Sequence, residues 1–320
     1  MDISVLLATY AREDILKKTL KSFVRLHTDD LTWELVVIDN ACLDSTQTIV
    51  ESYSHEIDVT YLRQAAPGKN SALLKGMQIA KGDLLVFTDD DVIADENWLQ
   101  ALFEGSIRHS EYDLFGGKIT PHFPDTRQLD PIIDLQHPIS KVAFVDLDLG
   151  DKDIPMPASQ VWGPNMAVRR RVFEAGFTFD PSIGPSQNPK YTMGSEASLL
   201  IPAEAAGFKA IYLPDANVLH QIRPEQMSLT WLKGRALRMG KGKAANSPNL
   251  EKMPFFLGIP RFLYRKLVTL YVQKTIAKAI GNRNKAFDLE MSYWSARGVA
   301  HYFMHEHPLE TNQAQAESPK

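Results

Sequence analysis

The sequence predicts an α/β fold: a mainly parallel sheet covered by helices, followed by a helical extension. Three observations predict it. Short apolar runs alternate with longer stretches of helical periodicity through the first 120 residues. The runs are almost continuously apolar, as strands buried on both faces are. Three of them end in polar clusters, and in such sheets ligands bind beyond the carboxyl ends of the strands. With 320 residues, 44% apolar and 23% charged, the chain has the composition of one large or two small globular domains, which excludes a mostly disordered protein.

Residues 3–8, 34–39, 58–62 and 84–87 each read as a strand of about five residues. Between the first two, Ile15, Leu16, Thr19, Leu20, Phe23 and Leu26 recur at helical spacing, with Lys17, Lys18 and Lys21 turned away. Beyond the strands lie Thr9, Tyr10 and Arg12, then Asp39, Asn40 and Asp44, then Thr88, Asp89, Asp90 and Asp91. Asp44 and Asp95 are expected to cap helices. Three adjacent carboxylates repel one another unless a cation is shared. Alternation along an extended segment lets Asp89 and Asp91 converge while Asp90 faces elsewhere. Two hard oxygen donors at a strand end suit Mn²⁺ or Mg²⁺, whose shell a diphosphate would complete.

The order Leu6-Leu7-Ala8-Thr9-Tyr10-Ala11-Arg12, Val36-Val37-Ile38-Asp39-Asn40-Ala41, Pro67-Gly68-Lys69-Asn70 and the run from Ala80 to Val92 resembles family 2 glycosyltransferases of the GT-A fold. Later blocks around Gly163-Pro164-Asn165, Gly194-Ser195-Glu196 and Pro214 to His220 extend the resemblance to about residue 240. It implies a nucleotide-diphospho-sugar donor. Thr9 and Tyr10 would line the base pocket, Asp39 would accept from the base, and Arg12, Asn70 and Asp90 would belong to the same donor site. Lys69 would approach the diphosphate. Asp89 and Asp91 would hold ribose and metal, with His220 completing the coordination. Trp162, Gly163 and Asn165 would line the sugar and acceptor side.

Inverting transfer needs a carboxylate base. The family's Glu-Asp pair appears here as Glu196-Ala197, so Glu196 is the candidate base, and a catalytically impaired sugar-nucleotide or glycan-binding homologue is the alternative. Leu73-Leu74 replaces the family's frequent Arg-Asn.

The net charge of −4 hides a division: residues 1–220 carry 32 acidic against 19 basic residues, and residues 221–300 carry 15 basic against 4 acidic. Residues 226–243 place Leu229, Leu232, Ala236 and Met239 on one helical face, with lysines and arginines around the rest. The basic residues of 261–280 gather on no single side, whereas 254–266 combine charge with aromatics, as attraction to anionic lipid requires. The acidic half argues against nucleic acid as a partner. A single cysteine, Cys42, and the lack of a leader pattern point to a reducing cytoplasm.

The expected organisation is a nucleotide-sugar domain over 1–225, a basic docking extension over 226–304 and a disordered tail over 305–320. The expected function is metal-dependent, inverting glycosyl transfer, favouring UDP-sugars, to a saccharide or lipid-linked saccharide in cell-surface glycan synthesis, peripheral on the inner face of the membrane.

Overall fold

The computed structural model describes residues 1–28, 30–40, 45–185 and 193–306. Cys42, the cap expected at Asp44 and the tail from 307 onward lie outside these residues. Two compact units depart from a linear division at 225: the first comprises residues 1–124 and 144–223, the second 125–143 and 224 onward.

The first unit runs β1 (Ile3–Thr9), α1 (Glu13–Phe23), β2 (Trp33–Asn40), α2 (Thr46–Ser52), β3 (Val59–Gln64), α3 (Lys69–Met77), β4 (Leu84–Asp89), β5 (Val92–Ala94), α4 (Trp98–Arg108) and β6 (Leu114–His122). The chain then passes through α5 (Pro138–Phe144) and returns as β7 (Ile154–Met156), β8 (Met166–Arg169), α6 (Arg170–Glu174), α7 (Ser195–Ala205) and β9 (Ala210–Gln221). Nine strands join in the order β3-β2-β1-β4-β8-β6-β9-β5, with β7 pairing β9. The pairs β3·β2, β2·β1 and β1·β4 are parallel. β8 enters antiparallel to both β4 and β6, a reversal the apolar runs alone do not signal.

The parallel register carries the functional consequence. Thr9 stands opposite Asp39, and Ala8 opposite Asp89, so three polar strand ends finish level at one edge. The strand interiors supply the core: Val5, Leu6, Leu7, Val37 and Val86 are fully buried. Trp98 is fully buried and stacks on Phe23 at 5.6 Å between ring centres. Asp95 does not cap α4 as expected: the N-cap is Asn97, and Asp95 instead accepts from the Asn97 amide at 3.0 Å in a turn ahead of the helix.

The second unit contains α5 up to Ala143, α8 (Leu229–Ala245), α9 (Pro248–Glu251), β10 (Phe255–Phe256), β11 (Ile259–Pro260), α10 (Arg261–Ala279) and α11 (Arg283–His305). α8 and α11 cross at glycines: a Cβ on Gly240 would lie 2.0 Å from the Ser295 carbonyl oxygen, and one on Gly298 2.0 Å from that of Leu237. Lys241, expected among the outward charges of α8, is instead fully buried and pairs with Glu306. The short apolar run 255–259 forms the β10–β11 hairpin. No described helix is long and apolar enough to cross a membrane.

Candidate active site

The turn from β1 into α1 bends through Ala11, held at φ 49°, a left-handed conformation uncommon for a residue with a Cβ. The bend carries Arg12 inward. Its guanidinium lies 2.7 Å from Asp90 and 3.4 Å from Asp91, and these carboxylates hold it charged although burial opposes this. Thr9 donates to Asp90 at 2.7 Å, and Thr19 donates to the Asp90 carbonyl at 2.7 Å. Asp90 therefore fastens α1 to the β4 end. Arg12 and Asp90, both expected at the donor site, are engaged with each other at the edge of the sheet. Tyr10 remains about half exposed at the edge.

Asp89 pairs with Lys69, the first residue of α3. Burial would raise the Asp89 carboxyl, but the Lys69 ammonium and its hydrogen bond hold it below the usual carboxylate range. Reciprocally, burial would lower Lys69, and Asp89 with Glu196 keep it above the ordinary lysine value. Asn70 is fully buried and donates to the Asp180 carbonyl at 2.7 Å; its side-chain oxygen has no partner among the described residues. The Lys69 amide donates to the Pro185 carbonyl at 3.0 Å, so the start of α3 is pinned from two directions.

On the other side, β5 pairs with β9 so that Val92 faces His220, bringing Asp91 beside the imidazole. His220 bonds through Nδ1 to the Phe144 carbonyl at 3.0 Å. A carbonyl only accepts, so Nδ1 carries a proton, and Nε2 lies 3.4 Å from Asp91 Oδ1. That oxygen is buried and has no hydrogen-bond partner among the described residues. An imidazole nitrogen beside a carboxylate oxygen is a donor pair of the kind that holds a divalent cation such as Mn²⁺. The expected three-residue set is not assembled. Among the described residues no group of three or more His, Cys, Asp or Glu side chains is arranged around a metal position, because Asp89 is turned to Lys69. Arg223 adds a cation 3.3 Å from Asp91 Oδ2.

Glu196 is the second residue of α7, where the positive end of the helix dipole favours a carboxylate. It lines a small pocket with Lys69, Asn70, Thr88 and Gly163. Gly163 admits it: a Cβ there would lie 2.2 Å from Glu196 Oε1. Gly163→Ala should therefore displace the carboxylate while sparing the fold, because the obstructed atom ends a flexible side chain. A melting temperature within about 4 °C of the parent, equivalent to roughly 1 kcal/mol, with transfer reduced about tenfold or more, is the expected pair of results.

Trp162 is half-buried and packs against the core of the first unit. Asn165 overturns its expected place on the sugar or acceptor side. It is fully buried, accepts from Trp98 Nε1 at 2.9 Å, and donates to the carbonyls of Lys118 and Ala216. Its amide ties α4, β6 and β9 together.

A protein-family model described as glycosyl transferase family 2 matches residues 4–177. The chain belongs to glycosyl transferase family 2. Among family relatives, it is 22% identical over 247 residues to a glucosyl-dolichyl phosphate glucuronosyltransferase of Haloferax volcanii, covering 76% of each chain. It is 31% identical over 102 residues to a validoxylamine A glucosyltransferase of Streptomyces hygroscopicus subsp. limoneus, which is 31% of this chain and 22% of that one. The chain thus spans about three quarters of the first relative and about a fifth of the second. Among solved structures, the mannosyltransferase PcManGT from Pyrobaculum calidifontis in complex with GDP-Man and Mn²⁺ superposes with a TM-score of 0.53 at 14% identity, covering 93% of this chain and 73% of that one. S. aureus TarS 1-349 in complex with UDP gives 0.50 at 15% identity, covering 93% and 90%. These likenesses show the GT-A fold.

Two residues of this family 2 chain were not singled out from sequence. Tyr61 donates to Asp39 Oδ2 at 2.8 Å from the neighbouring strand, and Arg223 reaches Asp91 from three residues beyond His220. Cross-strand placement hides the first. The second had a signal in its closeness to His220.

Proposed function

We propose that this chain transfers a glycosyl residue from a nucleotide-diphospho-sugar, favouring UDP-sugars, to a saccharide or lipid-linked saccharide acceptor with inversion at the anomeric carbon. The observation that carries the reading is the Asp91–His220 pair, 3.4 Å apart, at the sheet edge where Thr9, Asp39 and Asp89 finish level. Thr9, Tyr10 and Asp39 hold the base, and Asp89 with Lys69 meets the ribose and diphosphate. Glu196 takes the proton from an acceptor hydroxyl as its oxygen bonds to the anomeric carbon and the bond from that carbon to the diphosphate oxygen breaks. The electron pair leaves on the nucleoside diphosphate, whose charge Lys69 and Arg223 offset. Mn²⁺ or Mg²⁺ held by Asp91 and His220 would supply further neutralisation of that leaving group.

The solved relatives carry UDP in one case and GDP-Man with Mn²⁺ in another, and one curated relative is named for a dolichyl phosphate acceptor, which supports the donor class and a lipid-linked acceptor. Work at a membrane in cell-surface glycan synthesis follows from such an acceptor and from the basic second unit.

Thermal unfolding with UDP or GDP, with and without Mn²⁺ or Mg²⁺, tests the reading. A nucleotide at about 100 times its Kd should add about 2.7 kcal/mol to the stability, and Asp91→Ala should remove the metal-dependent part. A transition that no combination of nucleotide and metal moves would overturn it. Ala197 at the third position of α7 favours a second reading, a binding homologue without turnover. Donor hydrolysis gained by Ala197→Asp, absent in the parent, would decide for that reading.

A further inference from the structure

Among the described residues, most of the large apolar side chains left in water fall in the second unit, and they follow a pattern. α10 is apolar on two opposite sides. Its inner side, Leu263, Leu267, Leu270 and Ala277, packs within the clusters that α11 completes. Its outer side repeats at every fourth residue: Val268 is 64% exposed, Val272 48%, Ile276 54% and Ile280 71%. A helix apolar all round is normally covered all round. No described residue of this unit covers the outer stripe.

The hairpin leading into α10 presents the same chemistry. Leu257, 75% exposed, and Gly258 form the tip with φ of 43° and 80°. Two successive positive φ values are the pattern of the tight hairpin turn in which Asn-Gly or Asp-Gly is preferred. A leucine there is strained as well as wet. Phe256, 56% exposed, packs edge-on against Tyr264 of α10, and Tyr264 donates to the Phe256 carbonyl at 3.0 Å, so tip and helix form one surface.

The charges identify what covers this surface. α10 carries Arg261, Arg265, Lys266, Lys274 and Lys278 and not one acidic residue. Arg261 and Arg265 begin the outer face that Val268 continues. Lys274 and Lys278 are neutralised by Glu290 of α11, which leaves Arg261, Arg265 and Lys266; a second copy laid on this helix would bring six such cations together with no carboxylate from either helix between them. An anionic bilayer offers phosphates to the arginines and hydrocarbon to the aliphatic stripe and the leucine tip.

We infer that the outer face of α10 and the Phe256–Leu257 hairpin tip dock on an anionic lipid surface, with the tip entering the interface and α10 lying along it. The inference sharpens the membrane part of the proposed function and is independent of the nucleotide site. It extends the lipid-facing stretch expected over 254–266 along the helix to Ile280.

Sedimentation of the full chain with vesicles of phosphatidylglycerol and phosphatidylcholine, against phosphatidylcholine alone, tests it. Binding is expected only to the anionic vesicles, strongly at about 50 mM salt and at least about tenfold less at about 500 mM. Leu257→Asn, which suits the turn, and Val272→Glu, at an exposed site, should each reduce binding about tenfold, with unchanged helical circular dichroism and unchanged nucleotide-induced thermal shift. Parent binding that both variants retain would place membrane attachment elsewhere and overturn the inference. A failure to bind any vesicle would overturn it together with the membrane reading while leaving the nucleotide result standing. A dimer abolished by Val272→Glu, without vesicle binding, would assign the face to a second copy and equally overturn it.

Discussion

Glu196→Gln is expected to lower the turnover number for glycosyl transfer by about 10²- to 10⁴-fold, the usual contribution of a positioned general base. The amide keeps the size of the carboxylate, so it should fit the space that Gly163 leaves. It cannot take the acceptor proton. Nucleotide affinity should change less, because the Asp91–His220 pair lies on β9 and the β4–β5 turn whereas Glu196 starts α7. Isothermal titration with UDP alongside a transfer assay separates the two effects. A variant that retains more than about a third of the parent rate would remove Glu196 from the base role.

Glu290→Gln should destabilise the second unit by about 3 kcal/mol, at the lower end of what removing one partner of a buried ion pair costs. Glu290 is buried on α11 and receives Lys278 at 2.7 Å, Lys274 at 3.2 Å and the Trp294 indole N–H at 2.9 Å, with Lys233 of α8 at 3.6 Å. One carboxylate thus binds three helices. Removing its charge leaves Lys274 in particular with poor access to water, since its side chain is only 11% exposed. Lys278 is nearly half in water and relaxes easily, which limits the loss. A thermal melt followed by helical circular dichroism measures it, and a loss under about 1 kcal/mol would show that the lysines escape to solvent.

The same residue sets an acid limit. Burial alone would raise the Glu290 carboxyl, but hydrogen bonds from Lys278, Trp294 and Lys274, with the charge of Lys233, hold it at about 2 against an ordinary value of 4.5. A group depressed on folding stabilises the folded state above its unfolded value. Its contribution is therefore complete above about pH 4.5 and disappears as pH falls toward 2. Glu290→Gln should flatten that part of the stability profile.

The sheet edge was legible from sequence because parallel strands of similar length force their polar ends into line. Thr9, Asp39, Asp89 and Asp91 needed only that rule. What the side chains do at the edge was less legible. Arg12 and Asn165 have the chemistry of ligand-binding groups, yet one is spent on Asp90 and the other on Trp98 and two carbonyls. A guanidinium and an amide satisfy protein partners as readily as ligands, and only three-dimensional placement distinguishes the cases. Asp89 and Asp91 diverge for a similar reason: alternation along the strand aims both inward, but Lys69 captures one of them. The outer stripe of α10 was hidden by its own symmetry, since apolar residues on opposite faces cancel the periodicity that marks an amphipathic helix. Tyr61 and Arg223 escaped because pairing across strands has no signature along the chain.

The second unit draws residues 125–143 from the middle of the chain and the rest from beyond 223. During synthesis that early segment must wait until roughly 80 further residues have been added, which at ordinary translation rates takes about 4–16 s. Within this interval the segment has only its own contacts, such as the bond from the Ile133 amide to the Asp130 carbonyl. The nascent chain therefore passes through a stage in which the first unit nears completion while an apolar loop hangs from it. The helical unit can therefore close only after the chain has passed residue 223.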